Sequence, residues 1–491
     1  MTARTRTTPT MVDELYDLAQ TAFRFVQAPS GLVAIPLGAD WPVAIPIGEL
    51  RYLLTTLYQR REGRVPSEST VKNVLAAIQG AGMTDDTPRR NPQPRVAQDE
   101  RGRIILDLND GTGRAAVVSK TGVRLAHCET TNTNVCFSRT VAMGPLPQPD
   151  LSQPPDAIFA DLAAILNLND DSIRLLVAWL LAALFADIAH PILILRGEQG
   201  TAKTTAGRLI GRIIDKGDSD TRPAPVDVDH FVTQALPSWV VVLDNVSRIT
   251  PEVSDAICRA VTGDSLIKRK LYSDADWYLI RFRRALIITT IEAGAFRGDL
   301  AERALPLELQ PIKHRLNETD VEEMFAEAHP RILGSLLNLA AKVLAERDTI
   351  HLAHAPRMAD FAHIVAAMDA AMGWDGATLT AYSNVVKAAA FDVLESSALA
   401  AHLLDFIEEH GEWRGTAKEL LARLEQDFTD PSRPKDWPRS AKALSATLAR
   451  IAPALRRCGW HYDTTLQRTS KARPFALVKF VDEEDEDAGA A

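Results

Sequence analysis

Cysteine is scarce in this sequence. The four cysteines are scattered and form no C-x-x-C pair, which argues against a disulfide framework or a structural zinc site and fits a reducing, cytoplasmic location. Long apolar runs are also missing: the longest, Leu175 to Ala186, has twelve residues, whereas a membrane span needs roughly 20. We therefore expect a buried helix there and no membrane partner. The opening residues MTARTRTTPT lack the apolar segment of a secretory signal.

Positive charge does not dominate the chain either. The 55 Lys and Arg against 64 Asp and Glu give a net charge of −9. This excludes a histone-like binder and leaves any nucleic-acid contact to a local patch. The hydrophobic content of 46% and the charged content of 24% are ordinary for a soluble globular protein. A chain of 491 residues is too long for one ordinary core, so we expect about three or four domains.

Strands and helices alternate in the middle of the chain. The apolar runs ILIL, VVVL and LIIT suit strands that are buried on both faces, and their alternation with helices predicts an α/β fold with a largely parallel sheet. We expect strands over Pro191–Leu195, Trp239–Leu243 and Ala285–Thr290 and a helix over Pro251–Thr262 in this region, and a helix over 12–28 near the N-terminus. Proline-containing polar segments at 84–95 and 144–155 suggest linkers. The predicted units are an N-terminal helical region (1–97), a small β-domain (98–147), a P-loop α/β domain with its preceding helices (156–312), a helical bundle (313–394), a winged-helix domain (397–480) and a disordered acidic tail (481–491).

The sharpest motif is the passage LILRGEQGTAKTTAGRLIGRII, which reads as strand, loop and helix. It follows the P-loop pattern G-x-x-x-x-G-K-[ST], except that Ala202 stands where a glycine is usual. In such a loop the backbone N–H groups and the helix N-terminus surround phosphates. Lys203 would reach the β- and γ-phosphates of ATP, and the Thr204 hydroxyl would ligate Mg²⁺. A chance glycine-rich turn is the alternative. The predicted ATP-binding residues are Gly197, Glu198, Gln199, Gly200, Thr201, Ala202, Lys203, Thr204 and Thr205.

A second motif, WVVVLDNVS, delivers Asp244 at the end of an apolar strand, where a carboxylate would hold the magnesium together with Thr204. The next residue in most such ATPases is a second acid, but here it is Asn245, which can orient water and is a poor proton acceptor. Three alternatives follow: Asn245 alone orients the attacking water, Glu198 or Glu252 assists as the second acid, or hydrolysis is slow. Asn245 is alternatively a simple turn former.

Two further elements complete the predicted catalytic set. The strand ALIITTIE ends in a threonine pair, and Thr290 is the candidate sensor near the γ-phosphate. The segment FRGDLAERALPLEL carries Arg297 and Arg303 on a predicted short helix. An arginine there can complete the triphosphate site of a neighbouring subunit, which in other phosphoryl-transfer systems is worth roughly 10³–10⁵ in rate. The alternative is a solvated surface arginine.

The C-terminal region has the order of a winged helix: three helices followed by two strands. Residues 433–479 contain eleven Lys and Arg against two acids, a net charge of +9 within a chain of −9. A solvated basic face or a protein-docking domain is the alternative. The predicted DNA contacts are Arg439 and Lys442 at the start of the third helix and Arg468, Lys471 and Arg473 on the wing.

Together these motifs resemble an AAA+ ATPase of the superfamily-3 helicase type, in particular the ATP-binding proteins of actinobacterial prophages and integrative elements. The resemblance is carried by RGEQGTAKTT, VVLDNVS, TGDSLIKRKLYSD, LIITTIE and FRGDLAERALPLEL. It implies a P-loop AAA+ core, a ring, usually hexameric, that moves on single-stranded or forked DNA, and a trans position for Arg297 or Arg303. It also implies a DNA-contacting hairpin that carries Lys268, Arg269 and Lys270. The hairpin tip SDAD is acidic where such helicases present a basic residue, and Thr290 replaces the usual asparagine.

Two functional hypotheses follow. The first is an ATP-dependent DNA helicase or replication initiator of a mobile element, with Mg²⁺ and ATP bound between subunits. The second is an ATP-gated DNA-binding assembly or switch protein in regulation or phage defence, which does not separate strands. Asn245 and the acidic hairpin tip favour the second. A metabolic kinase has no use for a winged helix.

Overall fold

The computed structural model describes residues 9–38, 41–127, 133–140, 142–269, 277–291, 298–312, 315–352, 356–395, 397–427, 434, 437–466 and 473–479. Its N-terminal unit contains three helices and a three-stranded antiparallel sheet. These elements are α1 (Met11–Ala22), β1 (Phe23–Ala28), β2 (Gly31–Pro36), β3 (Ile45–Pro46), α2 (Ile47–Glu62) and α3 (Glu68–Gly82). The helix expected over 12–28 therefore ends at Ala22. Phe23, Phe25 and Val26 are aromatic or β-branched residues, which favour a strand.

The β-domain expected next is a four-stranded antiparallel sheet whose strands follow chain order. It consists of β4 (Val96–Gln98), β5 (Ile104–Asp107), β6 (Ala115–Ser119) and β7 (Gly122–Ala126). Ile104 and Leu106 on one face, and Ile105 on the other, are fully buried. Both faces of this small sheet are covered, because Trp41, Val135 and Phe137 pack on one side and the central domain packs on the other.

The central domain confirms the α/β prediction. It holds a five-stranded sheet in the order β14-β8-β13-β10-β9, and every neighbouring pair is parallel. Its elements are α4 (Ala157–Ile165), α5 (Asp170–Ala183), β8 (Ile192–Arg196), α6 (Lys203–Ile214), β9 (Arg222–Pro223), α7 (Val228–Ala235), β10 (Val240–Asp244), α8 (Pro251–Thr262), β11 (Ser265–Arg269), β12 (Trp277–Arg281), β13 (Ala285–Thr289), α9 (Gly298–Ala301) and β14 (Ala304–Glu308). The strands β11 and β12 form a separate antiparallel hairpin.

Three further helices pack mainly against the helices α4, α5 and α6 on one side of the central domain, and the last of them also contacts β14. They are α10 (Glu318–Glu346), α11 (Ala359–Met372) and α12 (Ala377–Glu395). One apolar core runs without interruption from Ile104 of the β-domain through Leu176 of α5 and Leu195 of β8 to Leu336 of α10. The β-domain, the sheet and the helices after it are therefore joined by shared burial, which is the largest favourable term in folding.

A buried ion pair joins the β-domain to the central sheet. Arg95 is fully buried and has a left-handed backbone with φ 60°. Its Nε donates to Oδ1 of Asp215 at 3.0 Å. The other carboxylate oxygen of Asp215 accepts from the backbone N–H groups of Trp239 (2.5 Å) and Val240 (3.0 Å). The pair therefore fixes the end of α6 and the start of β10 against the β-domain.

The C-terminal unit has its own core, which includes Leu403, Leu420, Leu448 and Phe475. It contains three helices and a three-stranded antiparallel sheet in the order β15-β17-β16. Its elements are α13 (Ala398–His410), β15 (Trp413–Thr416), α14 (Ala417–Leu424), α15 (Ala441–Arg457), β16 (Trp460–Asp463) and β17 (Pro474–Lys479). The unit contacts the central domain by packing α15 on α12. Across the described parts of the chain, every helix is too short or too polar to cross a bilayer.

Candidate functional site

Three strand ends bring the predicted catalytic motifs to one edge of the sheet. Leu195 of β8 lies opposite Thr289 of β13, and Leu243 of β10 lies opposite Ile288 of β13. The loop after β8, the carboxylate of Asp244 and the end of β13 therefore lie side by side. In open parallel sheets the carboxyl edge of the strands is where ligands bind.

The loop after β8 has the backbone expected of a phosphate site. Gly197 has φ 146° and Gly200 has φ 91°, both in the region that favours glycine. Ala202 caps α6 with φ 59° and ψ 35°, and no side chain accepts from the first N–H groups of that helix. Those N–H groups and the helix dipole are available to an anion. A glycine is usual at position 202 because a left-handed backbone costs other residues about 1–2 kcal/mol.

Lys203 folds back over the loop. Its Nζ donates to the carbonyl oxygens of Gly197 (2.8 Å) and Glu198 (2.7 Å). The ammonium group is thus held at the mouth of the loop by neutral acceptors, which an anionic phosphate oxygen would replace with a stronger, charge-assisted hydrogen bond.

A cluster of oxygen atoms lies beside the loop. The Thr204 hydroxyl donates to Asp244, at 2.9 Å from Oδ1 and 3.1 Å from Oδ2. The Thr289 hydroxyl donates to the same Oδ1 at 2.6 Å and accepts from the backbone N–H of Asn245 at 2.8 Å. Hard oxygen donors of this kind are the ligands that Mg²⁺ prefers. The residues therefore fit the expected metal, with Thr204 and Asp244 as the protein ligands.

The threonine in this cluster is Thr289, whereas the sequence singled out Thr290. Thr290 is buried, and its backbone N–H donates to the carbonyl of Leu195 at 3.1 Å. Neighbouring residues of a strand point to opposite faces, so one position decides which threonine meets Asp244. That choice depends on the strand register, which the sequence does not reveal.

Asn245 lies in the left-handed region with φ 53° and is exposed. Asparagine accepts this conformation more readily than most residues do, whereas a glutamate would be strained. The backbone thus supports the turn-forming role of Asn245. Glu198 and Glu252 are also exposed, and no hydrogen bond between described residues links either carboxylate to Asp244 or Thr204.

Arg315 also contacts the loop, and sequence reasoning missed it. Its Nη2 donates to the Gly200 carbonyl at 3.2 Å, and no described carboxylate pairs with it. It lines a pocket of about 450 Å³ beside the loop. The apolar wall of the pocket is formed by Ile165, Leu166, Leu209, Leu309, Ile312 and Val321. Arg315 belongs to no local motif. It lies 115 residues from Gly200 in the chain, and only folding brings the two together.

Of the two candidate trans arginines, Arg297 lies outside the described residues. Arg303 precedes β14, and its carbonyl accepts from the N–H of Ile192 at the start of β8. It therefore lies at the sheet edge opposite to the phosphate loop, about 16 Å away along a five-residue strand. Arg303 pairs with Asp299, and its side chain is 17% exposed. Its side chain therefore lies far from the loop after β8 of the same chain.

The predicted DNA-binding residues fall on two elements. Lys268 and Arg269 lie on β11, whereas Lys270 lies outside the described residues. In the C-terminal unit Arg439, Lys442 and Arg473 are exposed, and Arg468 and Lys471 are outside the described residues. Arg457 is only partly exposed, and burial lowers its pKa. It lines a small cavity where α15 packs on α12, so part of the basic stretch is used inside the molecule.

Comparison with known proteins assigns a family. Residues 160–392 match the family described as "Actinomycete integrative conjugative element replication protein", and residues 399–482 match the "AICE RepA C-terminal domain". The two matches follow one another and together cover more than half of the chain. The chain belongs to this family of mobile-element replication proteins. The integrative-element part of the resemblance is thereby confirmed.

Other comparisons add little. No curated protein matches the chain. The solved structures that are similar to it include the apo structure of the NrS-1 C terminal region, with 13% identity and a TM-score of 0.39 over 96% of this chain and 100% of that one. An A form apo structure of the same region has 13% identity and a TM-score of 0.39 over 95% of this chain and 99% of that one. A likeness at this level supports no statement about fold or activity.

Proposed function

We propose that this replication protein is an ATP-driven DNA motor, a helicase or initiator with a P-loop AAA+ core, which hydrolyses ATP between the subunits of a hexameric ring. The observation that carries the proposal is the meeting of Lys203, Thr204 and Asp244 around a loop with unpaired helix N–H groups. Groups from two separate parts of the chain would there hold a polyphosphate and its cation.

In this proposal each residue has a separate task. The loop from Gly197 to Thr205 would surround the phosphates. Lys203 would give up its hydrogen bonds to the carbonyls of Gly197 and Glu198 and donate to the β- and γ-phosphates. Thr204 and Asp244 would hold Mg²⁺, which neutralises charge on the phosphates when bound. The Thr289 hydroxyl fixes the carboxylate of Asp244 and the turn at Asn245.

The ring is supported by the position of Arg303. Because it lies at the opposite edge from its own loop, any nucleotide that Arg303 contacts would have to be bound to another copy of the chain. A head-to-tail interface that closes into a ring would supply that copy. Arg297, in the segment before α9, remains the second candidate.

DNA contact is proposed at the hairpin of β11 and β12 and at the C-terminal winged helix. The exposed Arg439, Lys442 and Arg473 are the contacts among the described residues of that unit. Phosphate contacts would dominate, so binding should weaken steeply with salt.

The decisive experiment is an ATPase assay with and without single-stranded, double-stranded and forked DNA, on protein whose mass in solution is measured. Lys203→Ala should abolish turnover, and retained turnover would rule out the loop as the site. Mixing Lys203→Ala with Arg303→Ala or Arg297→Ala subunits should restore activity for the true trans arginine. If neither mixture recovers, the shared site is wrong.

Asn245 favours one alternative, an ATP-gated assembly or switch protein. The residue that follows Asp244 in the chain is an amide and not a second acid, and its left-handed backbone would be strained with a glutamate. The alternative predicts that ATP binding changes the oligomeric mass while turnover stays low and forked DNA is not separated.

A further inference from the structure

Two consecutive arginines lie at the sheet edge opposite to the phosphate loop. Arg283 and Arg284 immediately precede β13, and the residue Arg284 is only 5% exposed. Both line a cavity of about 350 Å³ between the central domain and the N-terminal unit. Polar groups of Asn91, Gln93 and Ser138 form part of the facing wall.

Arg284 is held by neutral groups alone. Its Nε donates to the carbonyl of Ala235 at 2.9 Å, Nη1 to that of Arg283 at 2.7 Å, and Nη2 to that of Leu236 at 3.0 Å. A guanidinium group carries five N–H donors. Two donors of Arg284 therefore have no partner among the described residues.

Arg283 has the same character. It donates from Nη1 to the carbonyl of Ala186 and from Nη2 to that of Thr262, both at 3.0 Å. Its Nε is buried and has no hydrogen-bond partner. Within the part of the chain that the structure describes, no carboxylate lies at ion-pair distance from either guanidinium.

The surrounding acids cannot compensate for this charge. Asp215, the acid that acts on Arg284, is already occupied by Arg95 and two backbone amides. Asp187 and Asp360 act on Arg283 only from a distance. Burial lowers the pKa of Arg283, and that of Arg284 to about 10. Guanidinium groups stay protonated in proteins. A buried cation beside a partly buried one, with no anion among the described residues, is unfavourable, and a bound anion would relieve this.

We propose that this cavity binds a phosphate group, supplied by the backbone of a DNA strand. Guanidinium donors match the geometry of phosphate oxygens, and the polar facing wall can satisfy the remaining oxygens. The DNA source follows from the hairpin. Gly263 and Phe282 line the cavity, β11 begins two residues after Gly263, and β12 ends directly before Phe282.

The strand that carries Lys268 and Arg269 therefore begins at the rim of the cavity. A strand of DNA on the hairpin would reach the cavity next, and residues of the N-terminal unit would contact it from the other side. The cavity is separate from the nucleotide site, which lies at the other edge of the sheet. The DNA source rests on the proposed function, whereas phosphate binding by itself does not.

Inorganic phosphate is the first probe. Because the phosphate loop also binds it, the full-length Lys203→Ala chain is the background for all measurements. Its thermal unfolding midpoint should rise and saturate with phosphate, beyond a chloride control of equal ionic strength, since a ligand of the folded state stabilises it. Adding Arg283→Gln should weaken phosphate binding about tenfold, the value of one charge-assisted hydrogen bond. Arg60→Gln, an exposed arginine on α2, is the matched control and should change nothing.

A second variant avoids loss of a buried arginine. Ser30 is exposed and lines the same cavity, so Ser30→Glu adds a carboxylate to the cavity without disturbing the core. It should reduce the response to phosphate. The absence of a saturable response in the Lys203→Ala chain, or an unchanged phosphate affinity in both variants, would overturn the site.

Short single-stranded DNA distinguishes the source of the phosphate. Arg283→Gln should lower the slope of log affinity against log salt by about one, the signature of one lost phosphate contact. A lost phosphate response with an unchanged DNA slope would overturn the DNA assignment and identify free phosphate or a nucleotide as the occupant. The ATPase assay of Lys203→Ala tests the proposed function separately, because it reports on the opposite edge of the sheet.

Discussion

The alanine before Lys203 has a backbone conformation that glycine adopts more easily, so replacing it should change the stability of the protein. Ala202 is exposed and has a left-handed backbone with φ 59° and ψ 35°. This conformation costs an L-residue about 1–2 kcal/mol, and a glycine avoids that cost. Glycine in turn loses more backbone entropy on folding, about 0.5–1 kcal/mol. Ala202→Gly should therefore stabilise the folded chain by about 0.5–1 kcal/mol.

The assay is denaturant unfolding of the full chain, followed by fluorescence of the buried Trp179 and Trp239. The matched control is Ala163→Gly, the same chemical change at an exposed position inside α4, which should destabilise by about 1 kcal/mol. ATP affinity should be retained in Ala202→Gly, because the loop N–H groups stay in place. If both variants lost stability alike, the argument from the left-handed loop would be wrong.

Four further predictions follow from the contacts. Thr289→Val should lower the ATPase kcat about tenfold, because the carboxylate of the cluster loses one of its two hydroxyl donors. Arg315→Ala should weaken ATP binding about tenfold, because its guanidinium has no described carboxylate partner and lies on the loop. Burial lowers the pKa of His190 and His329 to about 4, whereas histidine in the unfolded chain has a pKa near 6.5. Between these two pH values the unfolded chain binds more protons than the folded chain. The thermal unfolding midpoint should therefore fall as the pH is lowered from 6.5 towards 4. Asp215→Asn should destabilise by about 3–5 kcal/mol, because it leaves a buried arginine unpaired.

Each of these has its own control. Thr290→Val should leave turnover nearer to normal, and an equal loss would remove the special role of Thr289. Arg315→Ala should leave AMP binding unchanged if its partners are the outer phosphates. A midpoint that is flat between pH 6.5 and 4 would contradict neutral buried histidines. Asp348→Asn breaks an exposed pair with Lys120, and it should leave the unfolding midpoint nearly unchanged.

Elements with strong local signals were predictable. The strands ILIL, VVVL and LIIT are apolar on both faces, and the structure places them within a residue of the predicted bounds. The helix α8 begins at Pro251 and ends at Thr262 as expected, because Thr250 caps it and Gly263 ends it in the left-handed region. The helix expected over 12–28 was too long, because apolar spacing alone does not separate a helix from the strand that follows it.

The candidate site divides in the same way. Lys203, Thr204 and Asp244 stand in motifs whose local pattern indicates their chemistry, so they could be proposed from the sequence alone, and the structure brings Thr204 and Asp244 together. The choice of Thr289 over Thr290 and the presence of Arg315 depended on register and on contacts between distant segments. The position of Arg283 and Arg284 in one cavity, away from every described carboxylate, could not be predicted from the sequence either.

The sequence by itself determined the kind of sheet, the glycine-containing loop after β8 and the order of the motifs, because each depends on a run of neighbouring residues. Tertiary structure decided which side chains from distant segments meet, which edge of the sheet Arg303 occupies, and where arginines are buried away from the described carboxylates. The physical reason is that burial and electrostatics depend on separation in space, and chain order fixes that separation only for residues within a few positions of one another.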